Sequence, residues 1–408
     1  MLEIGFHLYN YGELPLRFEW YLMRKNDMSL LFLLGAAHSL NHSFFLVLPP
    51  LLSVVVKDFN STFEQIGFIA TLSLLLYGLG AMVGGPLSDR LGSIKLIQLS
   101  SLIAGASTLI FLFSESLLIF GVGMLLMALG ASFYHPTANH FISRVYRKKM
   151  AQIMGIHGAA GSLGQMFTPA IAFGLGILFG WRSAFVFFGL LSMIVAFLFR
   201  NVKVPEAPKR EKRESFLKLF KDRSMLLIFS YSIISSLSTN GVTFFFPTFL
   251  YLERAVPRDI AAYANSALLV MGVAGQLIGG RLSDKYGSKK IAVVTSAGVL
   301  IGLLTLLLTP MATVGVLLFI VIYGISIFGN QPATTSLVGK VSPEVYAGVA
   351  FGVVFAFAFG LGSVSTTIAG YFADHYSLTV SYYVMAAIAL VALVASFLLP
   401  SKSDQVHS

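Results

Sequence analysis

The chain has 408 residues, 56% of them hydrophobic and only 11% charged, whereas soluble domains hold about 45–50% apolar and about 25% charged residues. That balance excludes an ordinary soluble protein, and the net charge of +10 does not mark a nucleic-acid binder, because the basic residues sit at the ends of apolar runs rather than on one soluble face. Cysteine is absent, which excludes disulfides and thiolate sites for metal or redox chemistry.

In chain order, residues 1–27, with Arg17, Glu19, Arg24 and Lys25, offer no uninterrupted apolar stretch and no small-residue cleavage site. They read as a cytoplasmic tail, not a signal peptide. Six apolar windows follow near 29–56, 63–86, 94–113, 117–142, 150–177 and 181–200, each about long enough to cross a bilayer. A hydrophilic stretch, VKVPEAPKREKRESFLKLFKDR, carries eight Lys/Arg and four Asp/Glu and reads as a linker over 201–224. Six more windows fall near 225–250, 260–282, 290–309, 313–338, 346–372 and 378–400, before a short tail over 401–408. The expected architecture is an all-α integral membrane protein of twelve transmembrane helices in two six-helix halves, 28–200 and 225–400. With the N-terminus inside, 24 Lys/Arg fall on the inner side and four (Lys57, Arg182, Arg254, Arg258) on the outer. That asymmetry predicts both termini in the cytoplasm of a multi-pass cell-membrane protein.

A repeat underlies the two halves. GPLSDRLGSIK at 85–95 and GRLSDKYGSKK at 280–290 agree at seven of eleven positions, 195 residues apart. Gly80 and Gly84 recur as Gly275 and Gly279 at that offset, and Pro136 and Arg144 find counterparts in Pro332 and Lys340. Parallel halves of this kind place a binding site between them near mid-membrane, with alternating access by rocking. Twelve spans, a long central linker and G-x-L-x-D-[RK]-x-G in both halves resemble the major facilitator superfamily over roughly residues 28–400. The resemblance implies that the doubled string forms a cytoplasmic latch, carried by Gly85, Asp89, Arg90 and Gly92 and by Gly280, Asp284, Lys285 and Gly287. The glycines are expected to allow close helix approach and a tight turn. Ser93-Ile94 and Ser288 stand where that family usually has basic residues, which weakens the expected charge network.

Polar side chains inside apolar spans are costly, so they face a cavity or another helix. Span 7 carries Ser232, Ser235, Ser236, Thr239, Asn240 and Thr243 on one helical face, and span 10 carries Tyr323, Ser326, Asn330 and Thr334 with Gln331 alongside. Span 1 offers His38, Asn41 and His42; span 4 offers Tyr134, His135 and Asn139. In the resembled family spans 1, 4, 7 and 10 line the cavity, so these residues are the candidate substrate contacts, with interhelical packing as the alternative use of the Ser/Thr stripes.

Five histidines lie within spans, all in the first half: His38, His42, His135, His140 and His157. His38, His135 and His157 sit at similar depths, counted at 1.5 Å per residue. No Asp or Glu lies in mid-span, so His38, His42, His135 and His157 are the proton-coupling candidates, an unperturbed imidazole titrating near pH 6.5. The alternative is neutral histidines held within the bundle. His38 and His42 share a face at i, i+4, as a transition-metal site would require, but no carboxylate or thiolate lies near to complete one, and no metal is expected. Arg144 and Lys340 form a pseudo-symmetric basic pair at the cytoplasmic mouth, suited to lipid headgroups or to an anionic substrate.

GASFYHPTANHFISR (130–144) and HSLNHSFFLVLPPLL in span 1 resemble the fosmidomycin-resistance branch of exporters, and GIHGAAGSLGQMFTP in span 5 is loosely similar to the Gly-rich antiporter motif. The span-4 Arg of many proton-driven exporters is replaced here by Leu126, which puts that particular antiport arrangement in doubt. The reading is a secondary active transporter, acting as a monomer on a small molecule with protons as coupling ion, and working as a drug or metabolite exporter. The rival is uptake or exchange of a mono- or dicarboxylate. Without H-E-x-x-H or a P-loop, neither an intramembrane histidine metalloenzyme nor an ATP-driven pump is expected, and no cofactor is required.

Overall fold

The computed structural model describes residues 25–146, 150–202, 216–309, 311–342 and 347–400. The expected tail over 401–408, the N-terminal tail up to residue 24 and most of the 201–224 linker lie outside the described residues. Among the described residues there are twelve apolar helices long enough to cross a bilayer and no strand. The first six spans are Met28–Asp58, Phe63–Leu91, Ser93–Phe113, Leu117–Val145, Ile153–Phe179 and Trp181–Asn201. The second six are Arg223–Glu253, Arg258–Tyr286, Ser288–Leu308, Thr313–Val341, Val349–His375 and Leu378–Phe397. Helices are the form such apolar stretches must take, because in lipid each backbone polar group has to be satisfied within its own segment.

Most of the doubled string is helix: spans 2 and 8 continue through it to Leu91 and Tyr286. A single glycine then reverses the chain in each half, Gly92 at φ 84° and Gly287 at φ 95°, a region that a Cβ makes strained. Close helix approach is served by other glycines than expected. A Cβ on Gly85 would meet nothing within 4 Å, whereas one on Gly84 would lie 2.6 Å from Pro136 Cγ, and one on Gly80 would collide with Ser132. Gly275 and Gly279 meet the backbone of Ile325 and Gly329 in the same way. Span 2 thus packs on span 4 as span 8 packs on span 10, through small residues that let backbones approach where lipid supplies no hydrophobic drive.

Proline breaks two spans. Pro49 and Pro50 lack an N–H and clash with carbonyls four residues back, and span 1 is interrupted at Val47, between helices Lys25–Leu46 and Leu48–Asp58. Pro136 does the same to span 4 at Phe133, between Leu117–Ser132 and Tyr134–Val145. In span 11 a π-turn at Ala356–Gly360 runs into a 3₁₀ turn at Leu361–Ser363, and Asn240 donates to the Ala358 carbonyl there at 3.1 Å.

Across the two halves span 2 packs on span 11, span 5 on span 8, and span 1 on span 7; the first two pairs are each other's mates under the repeat. The end where the described chain begins and stops is here the termini end, and the opposite one the far end. The far end is sealed. Thr71 donates to the Ser363 carbonyl at 2.8 Å and Thr366 to that of Gly67 at 2.9 Å, while the Asp374 carboxylate accepts from the Phe63 and Glu64 N–H groups at 3.0 and 2.6 Å. Between described residues, the hydrogen-bonded and aromatic contacts across the halves that lie deepest from the far end are Tyr77–Phe355 and His135–Phe355.

Candidate functional site

Four histidines from three spans converge where those cross-half contacts end. His38 and His42 come from one face of span 1, His135 from the first turn after the break in span 4, and His157 from span 5. The His38 ring stacks on His157 with centroids 4.1 Å apart and lies 4.8 Å from both His42 and His135. Gly161 makes room for it, since a Cβ there would fall 2.5 Å from His38 Cε1. His38 and His157 are buried, at 6% and 5% exposure; His42 and His135 are partly buried. The cluster also packs against Tyr77 and, from the other half, against Phe355, whose ring is 5.5 Å from His135.

The ring nitrogens form a directional chain. His38 Nδ1 lies 2.7 Å from the His157 carbonyl, an acceptor only, so Nδ1 carries the hydrogen and Nε2 the lone pair. His42 Nε2, 3.1 Å away, therefore donates to it, which leaves His42 Nδ1 to accept from the Gln165 amide at 3.2 Å. His135 Nε2 and both ring nitrogens of His157 have no hydrogen-bond partner. Buried polar atoms are normally paired, so these three nitrogens stand out among the buried groups of the first half.

The other candidates divide by what holds them. Asn41 is spent on structure, donating to the Ala131 carbonyl at 2.8 Å and accepting from Tyr77 at 2.7 Å. Tyr134 is fully buried and donates to the Leu34 carbonyl. Asn139, one turn beyond His135, is exposed. In the second half, Asn330 Oδ1 accepts from Tyr231 at 2.8 Å, and its amide donates to Ser235 at 3.1 Å. Tyr323 donates to the Thr239 carbonyl at 3.2 Å, and Thr243 to the same carbonyl at 3.0 Å. Ser236 packs against Gly362, and Ser326 against Gly298. Most of the span 7 and span 10 stripe thus knits the second half together; of its members, Gln331 is exposed, with Gln276 as its donor at 3.1 Å.

Comparison with known proteins settles the family. The sequence pattern of the Major Facilitator Superfamily matches residues 31–367. The chain belongs to the Major Facilitator Superfamily. Among its relatives, the fosmidomycin resistance protein of Escherichia coli (strain K12) is 24% identical over 390 residues, covering 92% of this chain and 93% of that one. The riboflavin transporter RibZ of Clostridioides difficile (strain 630) is 22% identical over 428 residues, covering 86% and 92%. The fold matches the crystal structure of a bacterial homolog of the human lysosomal transporter Spinster, inward-facing and occupied, with a TM-score of 0.78 at 18% identity over 92% of this chain and 97% of that one.

For this superfamily member the doubled string sits on the last helical turns of spans 2 and 8, with Asp89, Arg90, Asp284 and Lys285 beside the glycine turns. Ser88 and Ser93 bridge the first turn at 2.8 Å. Lys340 donates to Ser288 at 3.0 Å, which ties it to the second turn, and Ser288 donates to Ser336 at 2.9 Å. Arg144 lies on the last turn of its helix. The sequence reading missed Tyr77, Gln165 and Phe355 around the histidines, and Asp374 with the Thr71–Ser363–Thr366 set at the far end. Gln165 was the most findable, an amide in the Gly-rich apolar part of span 5, two helical turns after His157.

Proposed function

We propose that this membrane-embedded transporter couples the export of a small organic molecule to proton movement at the His38–His42–His135–His157 cluster, with its termini on the cytoplasmic side. The observation that carries the reading is a packed group of four imidazoles, with His42 and His38 joined by a ring–ring hydrogen bond and the neighbouring His135 and His157 holding unpartnered ring nitrogens, in a bundle whose spans hold no mid-span carboxylate. The His42–His38 bond can pass a proton from one ring to the other by exchanging donor and acceptor roles. The cluster lies against Phe355 of the opposite half, so a change in its charge alters the contact on which rocking turns. The relation to a fosmidomycin resistance protein supports export, and the Lys/Arg asymmetry supports the orientation.

The experiment is transport of a compound panel into sealed vesicles of known orientation, with a pH gradient imposed in either sense. Export by proton exchange requires uptake into inside-out vesicles when their lumen is acidic. Uptake indifferent to the gradient would remove the proton from the account.

A further inference from the structure

We propose that His38, His42 and His135 form a binding site for a transition-metal dication of the Zn²⁺ class, with His157 and Gln165 as its outer shell. This goes beyond the transport reading and does not depend on it. Nε2 or Nδ1 atoms of the three residues all lie within 4.8 Å of one another, and imidazole is the common ligand for Zn²⁺, Cu²⁺ and Ni²⁺. Zinc–nitrogen bonds of 2.0–2.1 Å in a tetrahedron put ligand nitrogens about 3.3 Å apart. His38 Nε2 and His42 Nε2 already stand at 3.1 Å.

Three features suit a metal better than they suit the hydrogen bonds present. First, His38 Nδ1 is held by the His157 carbonyl at 2.7 Å, the outer-shell arrangement that fixes a metal-bound imidazole with its other nitrogen presented. Second, turning the Gln165 amide over would make its oxygen the acceptor for His42 Nδ1–H, and so free His42 Nε2 as a second lone pair. The 3.2 Å separation serves either amide orientation. Third, the His135 Nε2 has no partner, so no hydrogen bond has to break for the ring to move the distance of up to about 1.5 Å that separates 4.8 Å from tetrahedral spacing. Three neutral ligands leave the cation's charge uncompensated within the membrane, so a fourth, anionic ligand from solution, hydroxide or the carboxylate of a bound solute, would complete the shell.

The test uses tag-free, chelator-stripped full-length protein in lipid nanodiscs, without any gradient or transported solute. Zn²⁺ titrated calorimetrically is expected to bind at one equivalent. His42→Gln and His135→Gln should each weaken it at least about tenfold, since losing an outer-shell partner alone typically costs 10–100-fold. His375→Ala, at the exposed far-end histidine, should leave it unchanged. Wild-type protein loaded with Cu²⁺ should show nitrogen hyperfine coupling from three imidazoles by electron paramagnetic resonance, a readout that needs no variant to fold. Absence of one-equivalent Zn²⁺ binding, or a Cu²⁺ spectrum with fewer than two coupled nitrogens, overturns the proposal whatever the transport assays show.

Discussion

Asp374 is where the far-end seal can be opened most cleanly. Its carboxylate accepts from the Phe63 and Glu64 N–H groups at 3.0 and 2.6 Å, joining span 11 of one half to the start of span 2 of the other. Span 2 does not need it as a cap, because Thr62 and Gln65 already form a reciprocal capping box. The two bonds therefore act between the halves. Hydrogen bonds to a charged group contribute about 1.5–3 kcal/mol each; both are exposed here, and solvent screening cuts the pair to about 1–2 kcal/mol. Asp374→Ala should accordingly favour far-end opening by about 5–30-fold. The chain has no cysteine, so a single Thr248→Cys serves as reporter. Thr248 is only 3% exposed and lies with Pro247 across a small cleft from Pro50 and Ser53 of span 1. Labelling of that cysteine by a membrane-impermeant maleimide should speed up by the same factor, and the difference from wild type should shrink at high salt. A rate changed less than twofold would refute the reasoning.

Other consequences follow from the same contacts. Gly161→Ala places a methyl 2.5 Å from His38 Cε1; such overpacking costs about 1–3 kcal/mol, and is expected to abolish substrate-coupled proton flux while the protein remains monodisperse on size exclusion. Asn330→Ala removes the acceptor and donor shared by the buried Tyr231 hydroxyl and Ser235, while Tyr231 keeps Ser296 at 2.8 Å; the loss of about 0.5–1.5 kcal/mol per bond should lower the thermal midpoint in detergent, and an unchanged midpoint would show that the span 7–span 10 network is not structural. In intact cells, Glu115→Cys at the exposed far-end turn should react with an impermeant maleimide and Lys95→Cys only after permeabilisation. The opposite pattern would invert the proposed orientation.

The spans and the repeat were legible because lipid leaves little choice: an apolar run of bilayer length must be a helix, and the 195-residue echo marks two halves built alike. Depth counting along straight helices also brought His38, His135 and His157 to one level. The use of each glycine was less legible, since spacing alone does not tell Gly84, which packs on Pro136, from Gly85, which packs on nothing. Nor does a polar stripe reveal its partner. Asn240, Asn330 and Tyr323 hydrogen-bond inside their own half, because in a membrane an internal acceptor is the alternative to an unsatisfied group. Asp374 was hidden for the opposite reason: a carboxylate at a span end reads as solvated, and its partners are backbone N–H groups 310 and 311 residues earlier.

The central claim is that protons move through the histidine cluster, and the most direct measurement is substrate-driven proton flux in proteoliposomes carrying an interior pH dye. Wild type should be run beside His38→Gln and His135→Gln, with solute movement followed in parallel. The account predicts substrate-dependent flux in the wild type, and its loss in variants that still bind the solute. Proton flux that persists unchanged in both variants would contradict it.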